Sequence, residues 1–256
     1  MKELTHFFIL SAILCVAASC SHSDEPREAT TGDVTHTASQ SPTWYYPDWI
    51  KDAKYNQPIR VLDTDSALGR YSLKTKELSI KDIVEFHGHP CDGLIIAYIE
   101  IREVFKKLFP DGVVDRTDLR VVSKNGPCWV DTAAMMTGAR INFGTLSLDP
   151  KIGDGFIVQK VSTGEAYSVH LKPGVFPKEQ AELEGKIRAL RAEDKPVDPK
   201  EIDRVEAMAD ALSKKLLNTP PEEILDVKRL PDFKFEFQFK PGKRGDIVNK
   251  NAKRTS

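Results

Sequence analysis

The sequence predicts an α+β domain, a mixed or antiparallel sheet packed with helices, and three observations point there. Residues 93–108 set Leu94, Ile95, Tyr98, Ile101, Val104, Phe105 and Leu108 at helical spacing. Near the other end, Phe233, Phe235, Phe237 and Phe239 alternate with Lys234, Glu236 and Gln238, the period of a strand with one buried face. Between these two stretches, helical and extended runs interleave without the βαβ rhythm of a doubly wound sheet. With 256 residues, 40% of them hydrophobic, the chain suits one good-sized domain with extensions. A formal net charge of −1 gives no reason to expect nucleic acid as a partner. Four cysteines are too few for a disulfide-rich framework.

Taken in order, the chain begins with Lys2 and an apolar run over 7–18. That run is about a dozen residues long, and a transmembrane helix needs about 20. It ends in Ala17-Ala18-Ser19-Cys20, small residues before a cysteine, which resembles a bacterial lipobox with Ala17 where leucine is usual. The pattern predicts a lipoprotein signal over 1–20 and attachment to the membrane through a lipidated Cys20. The location is then the bacterial cell envelope, periplasmic or surface-exposed; plain secretion is the alternative. Residues 21–43 are rich in Ser, Thr, Ala and acidic side chains and read as a flexible linker, with His22 and His36 solvated in it. The domain is expected over 44–245, with a core at about 78–172, a C-terminal extension at about 173–245, and a basic tail at 246–256.

Trp44, Tyr45, Tyr46 and Trp49 open the domain as aromatic surface that packs onto it. The stretch 57–78 alternates weakly and carries turn residues, which leaves its secondary structure open. Ser79 followed by Asp82 reads as an N-cap starting a short helix over 80–86. After the long helix, Phe109-Pro110-Asp111-Gly112 is a turn and 119–123 a strand. A helix from about Trp129 to Met136 ends at Gly138. Strands are expected over 143–148, 155–161 and 166–171. Two helices over 177–194 and 199–217 begin near proline and carry dense charge, so much of each faces solvent.

The chemistry concentrates at Phe86-His87-Gly88-His89-Pro90-Cys91-Asp92-Gly93. Two imidazoles, a thiol and a carboxylate in six residues are poor core-fillers and good metal ligands. On an extended backbone His87 and His89 share a face about 6.6 Å apart, while His87 and Cys91 are about 13 Å apart. Convergence of all three therefore needs a bend, and Pro90 at the first turn of the following helix offers one. A matching half lies at Asn125-Gly126-Pro127-Cys128-Trp129-Val130-Asp131. Cys128 sits at a helix start, where the positive helix end lowers a thiol pKa, and Asp131 lies one turn on, on the same face. Thiolate and imidazole suit zinc, and also nickel or iron. The candidate metal ligands are His87, His89, Cys91 and Cys128, with His87 either a ligand or a support behind the ligands, and the candidate catalytic groups are Cys91 and Asp131; the two histidines could instead hydrogen-bond the irregular backbone around Gly88. The alternatives are a Cys91–Cys128 disulfide in an oxidising compartment, an Asp131 that caps its helix or pairs with Arg140, and an Asp92 held by the helix dipole. His170, after a strand, reads as an ordinary surface or core histidine.

These residues resemble the FmdE family, named for a component of formylmethanofuran dehydrogenase. Its first hallmark is an aromatic residue, His-Gly-His, a variable residue, Cys-Pro-Gly and an apolar helix; here it reads Phe86 to Leu94, with Asp92 in place of the proline. The second is an Asn before Cys-x-Val-Asp, matched by Asn125, Cys128, Val130 and Asp131, with Thr137-Gly138 closing the helix. The resemblance covers about residues 78–172. It implies an α+β core, often dimeric, with a metal-binding active site at His87, His89, Cys91, Cys128 and Asp131. The C-terminal zinc finger of some members is absent, since no cysteine follows Cys128. Residues 139–143 replace a stretch that in relatives holds a further cysteine.

Three functions follow as expectations. The first is an extracytoplasmic, lipid-anchored metal-binding protein, acting on a small-molecule ligand through metal-activated water if it is an enzyme. The second is a non-catalytic module that captures a metal complex or cofactor. The third is a thiol-redox protein using Cys91 and Cys128.

Overall fold

The computed structural model describes residues 46–64, 69–70 and 74–237, and over them the fold is mixed α+β with two mixed sheets. In chain order the elements are α1 (Asp48–Lys51), β1 (Ile59–Leu62), β2 (Lys76–Leu78), α2 (Ile80–His87), α3 (Asp92–Leu108), β3 (Val113–Asp115), β4 (Leu119–Ser123) and α4 (Pro127–Thr137). There follow β5 (Leu146–Leu148), β6 (Phe156–Lys160), β7 (Ala166–Leu171), α5 (Lys178–Ala192), α6 (Pro199–Leu216), α7 (Pro221–Ile224) and β8 (Leu225–Arg229). The larger sheet has the order β5-β4-β6-β7-β8, antiparallel except for the parallel β4–β5 pair. The smaller sheet, β2-β1-β3, pairs β1 antiparallel to β2 and parallel to β3. The expected leader, linker and basic tail at 1–20, 21–43 and 246–256, and Trp44, Tyr45 and Phe239, lie outside the described residues. Among the described residues no helix is long and apolar enough to cross a membrane.

Helix α3 is the element around which the core is built. Its periodic positions Leu94, Ile95, Tyr98, Ile101, Val104, Phe105 and Leu108 are all buried, and so are Gly93, Ile96, Ala97, Ile99 and Glu100. Burial beyond one stripe follows from its neighbours: the helix packs on β6, β7 and β8 of the larger sheet and against α2, α4 and α6. Each fully buried Leu or Ile side chain contributes about 1.5–3 kcal/mol relative to exposure, so this one helix carries a large share of the core. Burial also pushes the carboxyl of Glu100 well above the usual carboxylate range.

Several boundaries differ from expectation for local reasons. The expected strand at 143–148 shrinks to β5, because Ile141–Phe143 forms a 3-10 turn that ends at Gly144 with φ of 67°. The phenylalanine run does not form a strand over Phe233–Phe237. The C-terminal edge strand is β8 instead, paired with β7 over Leu225–Arg229. With β6 on one side and β8 on the other, β7 has no edge left for the phenylalanines. They pack on side chains: the Arg120 guanidinium lies 5.7 Å from the Phe235 ring and 4.7 Å from that of Phe237. The weakly alternating stretch before α2 contains β1 and β2, and the alternation of Ile59 and Val61 with Arg60 is that of β1. Of the opening aromatics, Trp49 packs against the core, and Tyr46 accepts a hydrogen bond from Asn56 Nδ2 at 3.1 Å.

Both ends of α2 are set by local chemistry, and this decides where the histidines go. Ser79 Oγ accepts from the Asp82 amide while the Asp82 carboxylate accepts from the Ser79 amide, a reciprocal capping box. Gly88, with φ of 100°, closes the helix in the left-handed conformation and returns its amide to Val84 O at 2.7 Å. Replacing Ser79 by Ala should cost about 1 kcal/mol of stability, read as a lower urea midpoint at unchanged m-value; an unchanged midpoint would show that tertiary packing alone holds this end.

Candidate metal centre

Three helix ends meet at the motif. His87 is the last residue of α2, Cys91 is the N-cap of α3, and Cys128 is the second residue of α4. The motif is thus a helix–turn–helix rather than a bent strand, which changes the expected reach. His87 and Cys91 are not about 13 Å apart; the turn at Gly88 brings His87 Nε2 to 3.8 Å from Cys91 Sγ. Pro90 precedes the cap of α3 and does not occupy its first turn, so the left-handed glycine supplies the bend. The Cys91 sulfur accepts from the Leu94 amide at 3.4 Å, the role usually taken by a serine or aspartate oxygen.

Strand β4 ends at Ser123, and a three-residue turn leads from it into α4, so the larger sheet places Cys128. Its sulfur lies 3.3 Å from Cys91 Sγ. That separation exceeds the bond length of a disulfide, about 2.05 Å, and both residues are free thiols. The two helices can meet here because residue 93 is glycine. A Cβ on Gly93 would sit 3.0 Å from Trp129 Cζ3 and 3.1 Å from Cys128 Sγ. Lys124 covers the same indole, its Nζ 3.5 Å from the ring centroid.

Asp131, one turn beyond Cys128, does not pair with Arg140. Its Oδ2 accepts from His87 Nδ1 at 2.7 Å, with the His87 side chain 4% exposed and that of Asp131 33%. This bond keeps a proton on His87 Nδ1 and turns Nε2 toward Cys91 Sγ. The ring of His89 lies 4.8 Å from that of His87 at an interplanar angle of 36°. The donor atoms of His87, His89 and Cys91 all lie within 4.8 Å of one another. Tetrahedral ligands at zinc distances stand about 3.3–3.8 Å apart. The His87–Cys91 and Cys91–Cys128 pairs, at 3.8 and 3.3 Å, already meet that spacing, and His89 is exposed beside them. The donor set and its spacing fit a borderline transition metal.

The electrostatics separate the two thiols. Cys128 is lowered to about 6, chiefly because it accepts the Cys91 S–H, with the His87 imidazole helping and burial opposing. Cys91, deeper and holding that proton, is pushed up by the same hydrogen bond and by burial. Partial burial, and then the neighbouring His87, lower His89, which favours the neutral imidazole that metals bind. Burial raises Asp92, and the Glu184 carboxylate adds to it. Gln180 on α5, fully buried, donates to Asp92 Oδ2 at 2.6 Å and to Glu184 Oε1 at 2.9 Å. Sequence reasoning missed Gln180, since nothing local ties it to a motif 88 residues earlier. His170 stands apart, half-exposed on β7 with Nε2 3.7 Å from Asp226 Oδ2.

Comparison with known proteins identifies a family. The family model described as "FmdE, Molybdenum formylmethanofuran dehydrogenase operon" matches residues 86–226, more than half of the chain. The chain belongs to the FmdE family. Among solved structures, a tungsten formylmethanofuran dehydrogenase FmdE-like protein from Syntrophus aciditrophicus is similar at 19% identity. That match covers 69% of this chain and 80% of the other, with a TM-score of 0.37. A search of curated proteins found no match. The FmdE match runs from Phe86 into β8, so α5 and α6 belong to the matched region along with both metal-ligand motifs.

Two outcomes follow from the geometry. In metal-free protein, alkylation of Cys128 should rise with a midpoint near pH 6, and Cys91→Ala should move that midpoint up by removing the main cause of the shift; an unmoved midpoint would assign the effect to the helix end instead. Gly93→Ala should cost about 1–3 kcal/mol through overpacking, measurable by denaturant unfolding, and should weaken retention of added zinc.

Proposed function

We propose that this FmdE-family protein is a metal-binding protein of the bacterial cell envelope, anchored through a lipidated Cys20. It holds one transition-metal ion, zinc in the first instance and nickel or iron as the alternatives, through His87 Nε2, His89, Cys91 and Cys128. The observation that carries this reading is the Asp131–His87 bond. A carboxylate on one imidazole nitrogen, with the other nitrogen aimed at two sulfurs, is the outer support that metal-bound histidines use. A site built only for packing has no need of it.

Within this reading, Cys128 is the ready thiolate and Cys91 the thiol that releases a proton when the site fills. Asp131 is committed to His87, so its part is to orient that ring. Asp92, next to Cys91 and held by Gln180, is the better-placed carboxyl for moving a proton near the site. A metal held this way, if a coordination position stays open, supplies Lewis acidity and a water more acidic than bulk. A small-molecule ligand would enter from the side of exposed His89 and Phe86.

Elemental analysis of natively purified protein should find one metal per chain, lost in Cys128→Ala. Asp131→Asn should lower metal affinity about 10–100-fold. Near-stoichiometric metal in Cys128→Ala would overturn the proposal. Cys20→Ser should move the protein from the membrane fraction to the soluble fraction. The 3.3 Å approach of the two sulfurs favours a second reading, a dithiol that gives two electrons and two protons to a partner disulfide. Failure of the reduced protein to cleave a disulfide substrate such as oxidised glutathione, with no Cys91–Cys128 disulfide formed, would remove that reading.

A further inference from the structure

The opposite end of α3 carries a second recess that the metal centre does not use. Between β1, β3 and the last two turns of α3 lies a cavity of about 280 Å³, lined by Arg60, Arg102 and Lys106 beside Phe105, Phe109 and Val114. Arg102 lies eleven positions beyond Cys91 on α3, about 16 Å along the axis at 1.5 Å per residue. The recess and the metal centre are therefore distinct sites.

The charges at this recess do not balance. Lys106 is paired with Glu103. The nearby Asp111 carboxylate accepts from the Val113 amide at 3.3 Å. Arg102 donates through Nη1 to the Tyr55 carbonyl and lies 5.9 Å from the Tyr98 ring centroid, with no carboxylate partner among the described residues. Arg60, exposed on β1, has no side-chain ion pair or hydrogen bond among the described residues. Two arginines on different elements thus line one small recess whose other walls are phenylalanine, proline and aliphatic side chains, Arg102 being held by the Tyr55 carbonyl and the Tyr98 side chain. Gly112, at φ of 76°, keeps the rim open below the Arg60 guanidinium, whose Nη2 would lie 3.6 Å from an added Cβ.

We propose that this recess binds a small organic anion, an aryl or alkyl phosphate or carboxylate. The anionic head is held by Arg60 and Arg102, and the apolar body lies against Phe105 and Phe109. Guanidinium forks match the paired oxygens of either head group, which a lone lysine does not. The volume sits at the small end of ligand pockets, which excludes a nucleotide-sized molecule. The site stands independently of the metal reading, since neither guanidinium touches the metal centre.

Titration calorimetry of the full chain with phenyl phosphate, benzoate and the neutral benzyl alcohol tests this. Saturable binding of at least one anion is expected, about tenfold or more tighter than benzyl alcohol, as hydrogen bonds to charged groups imply. Binding should weaken with added salt. Which anion binds tighter names the head group. Arg60→Ala, a change at an exposed position that should leave the melting temperature in place, should weaken binding about tenfold. Cys128→Ser should leave binding unchanged. No saturation in the millimolar range overturns the proposal, as does equal affinity for benzyl alcohol or indifference to Arg60→Ala. Loss of binding in Cys128→Ser would do so too, since it would move the anion to the metal centre.

Discussion

The close approach of two helix starts at Gly93 is the contact on which the rest of the site depends. With no side chain at that position, α4 comes down against the first turn of α3 until Cys128 and Trp129 touch its backbone. Two positive helix ends are thereby brought together with a thiol at each. The sulfurs end up 3.3 Å apart and share one proton unequally: Cys128 is lowered to about 6, while burial and its own donated hydrogen bond raise Cys91. A larger residue at 93 would separate the two halves of the motif before any ligand chemistry came into question.

The remaining parts of the centre are held by elements with other duties. The larger sheet positions α4 through β4, whose partners β5 and β6 fix its register over Leu119–Ser123. Helix α2, capped at both ends, delivers His87 to the one place where Asp131 can take its Nδ1. Helix α5 reaches back through Gln180 to Asp92, tying the C-terminal extension to the residue beside Cys91. Rigid elements hold every candidate ligand except His89, which is exposed on the turn after Gly88. The two ends of α3 are thus chemically opposite. Thiols and imidazoles gather at its start, and cations gather near its end, where the helix dipole favours them.

Much of this architecture was legible in the residues. The spacing from Leu94 to Leu108 marked the helix, because apolar side chains at that period must share a buried face. Ser79 with Asp82 marked the start of α2, and Gly138 the end of α4, since caps depend only on neighbours a few residues away. The phenylalanine run misled for the opposite reason. Its alternation was real, but the place beside β7 went to β8, and Phe235 and Phe237 pack on Arg120 instead. Strand β3 has three residues, too few to show a period above noise, and β1 showed only a weak alternation.

For the centre itself, the types of side chain were decided by the sequence alone: two histidines, two cysteines and an aspartate in two separated motifs, together with the family to which they point. Their geometry was not. Reading 87–91 as an extended chain placed His87 too far from Cys91, because the left-handed turn at Gly88 leaves no periodic trace. The partnership of Asp131 with His87 spans 44 residues, and the Gln180 contact spans 88. Local sequence determines which backbone conformations and which ligand chemistries are available. Only the packing of α2, α3, α4 and α5 around one glycine decides which nitrogen faces which sulfur, because those distances are set by side-chain volumes far apart along the chain.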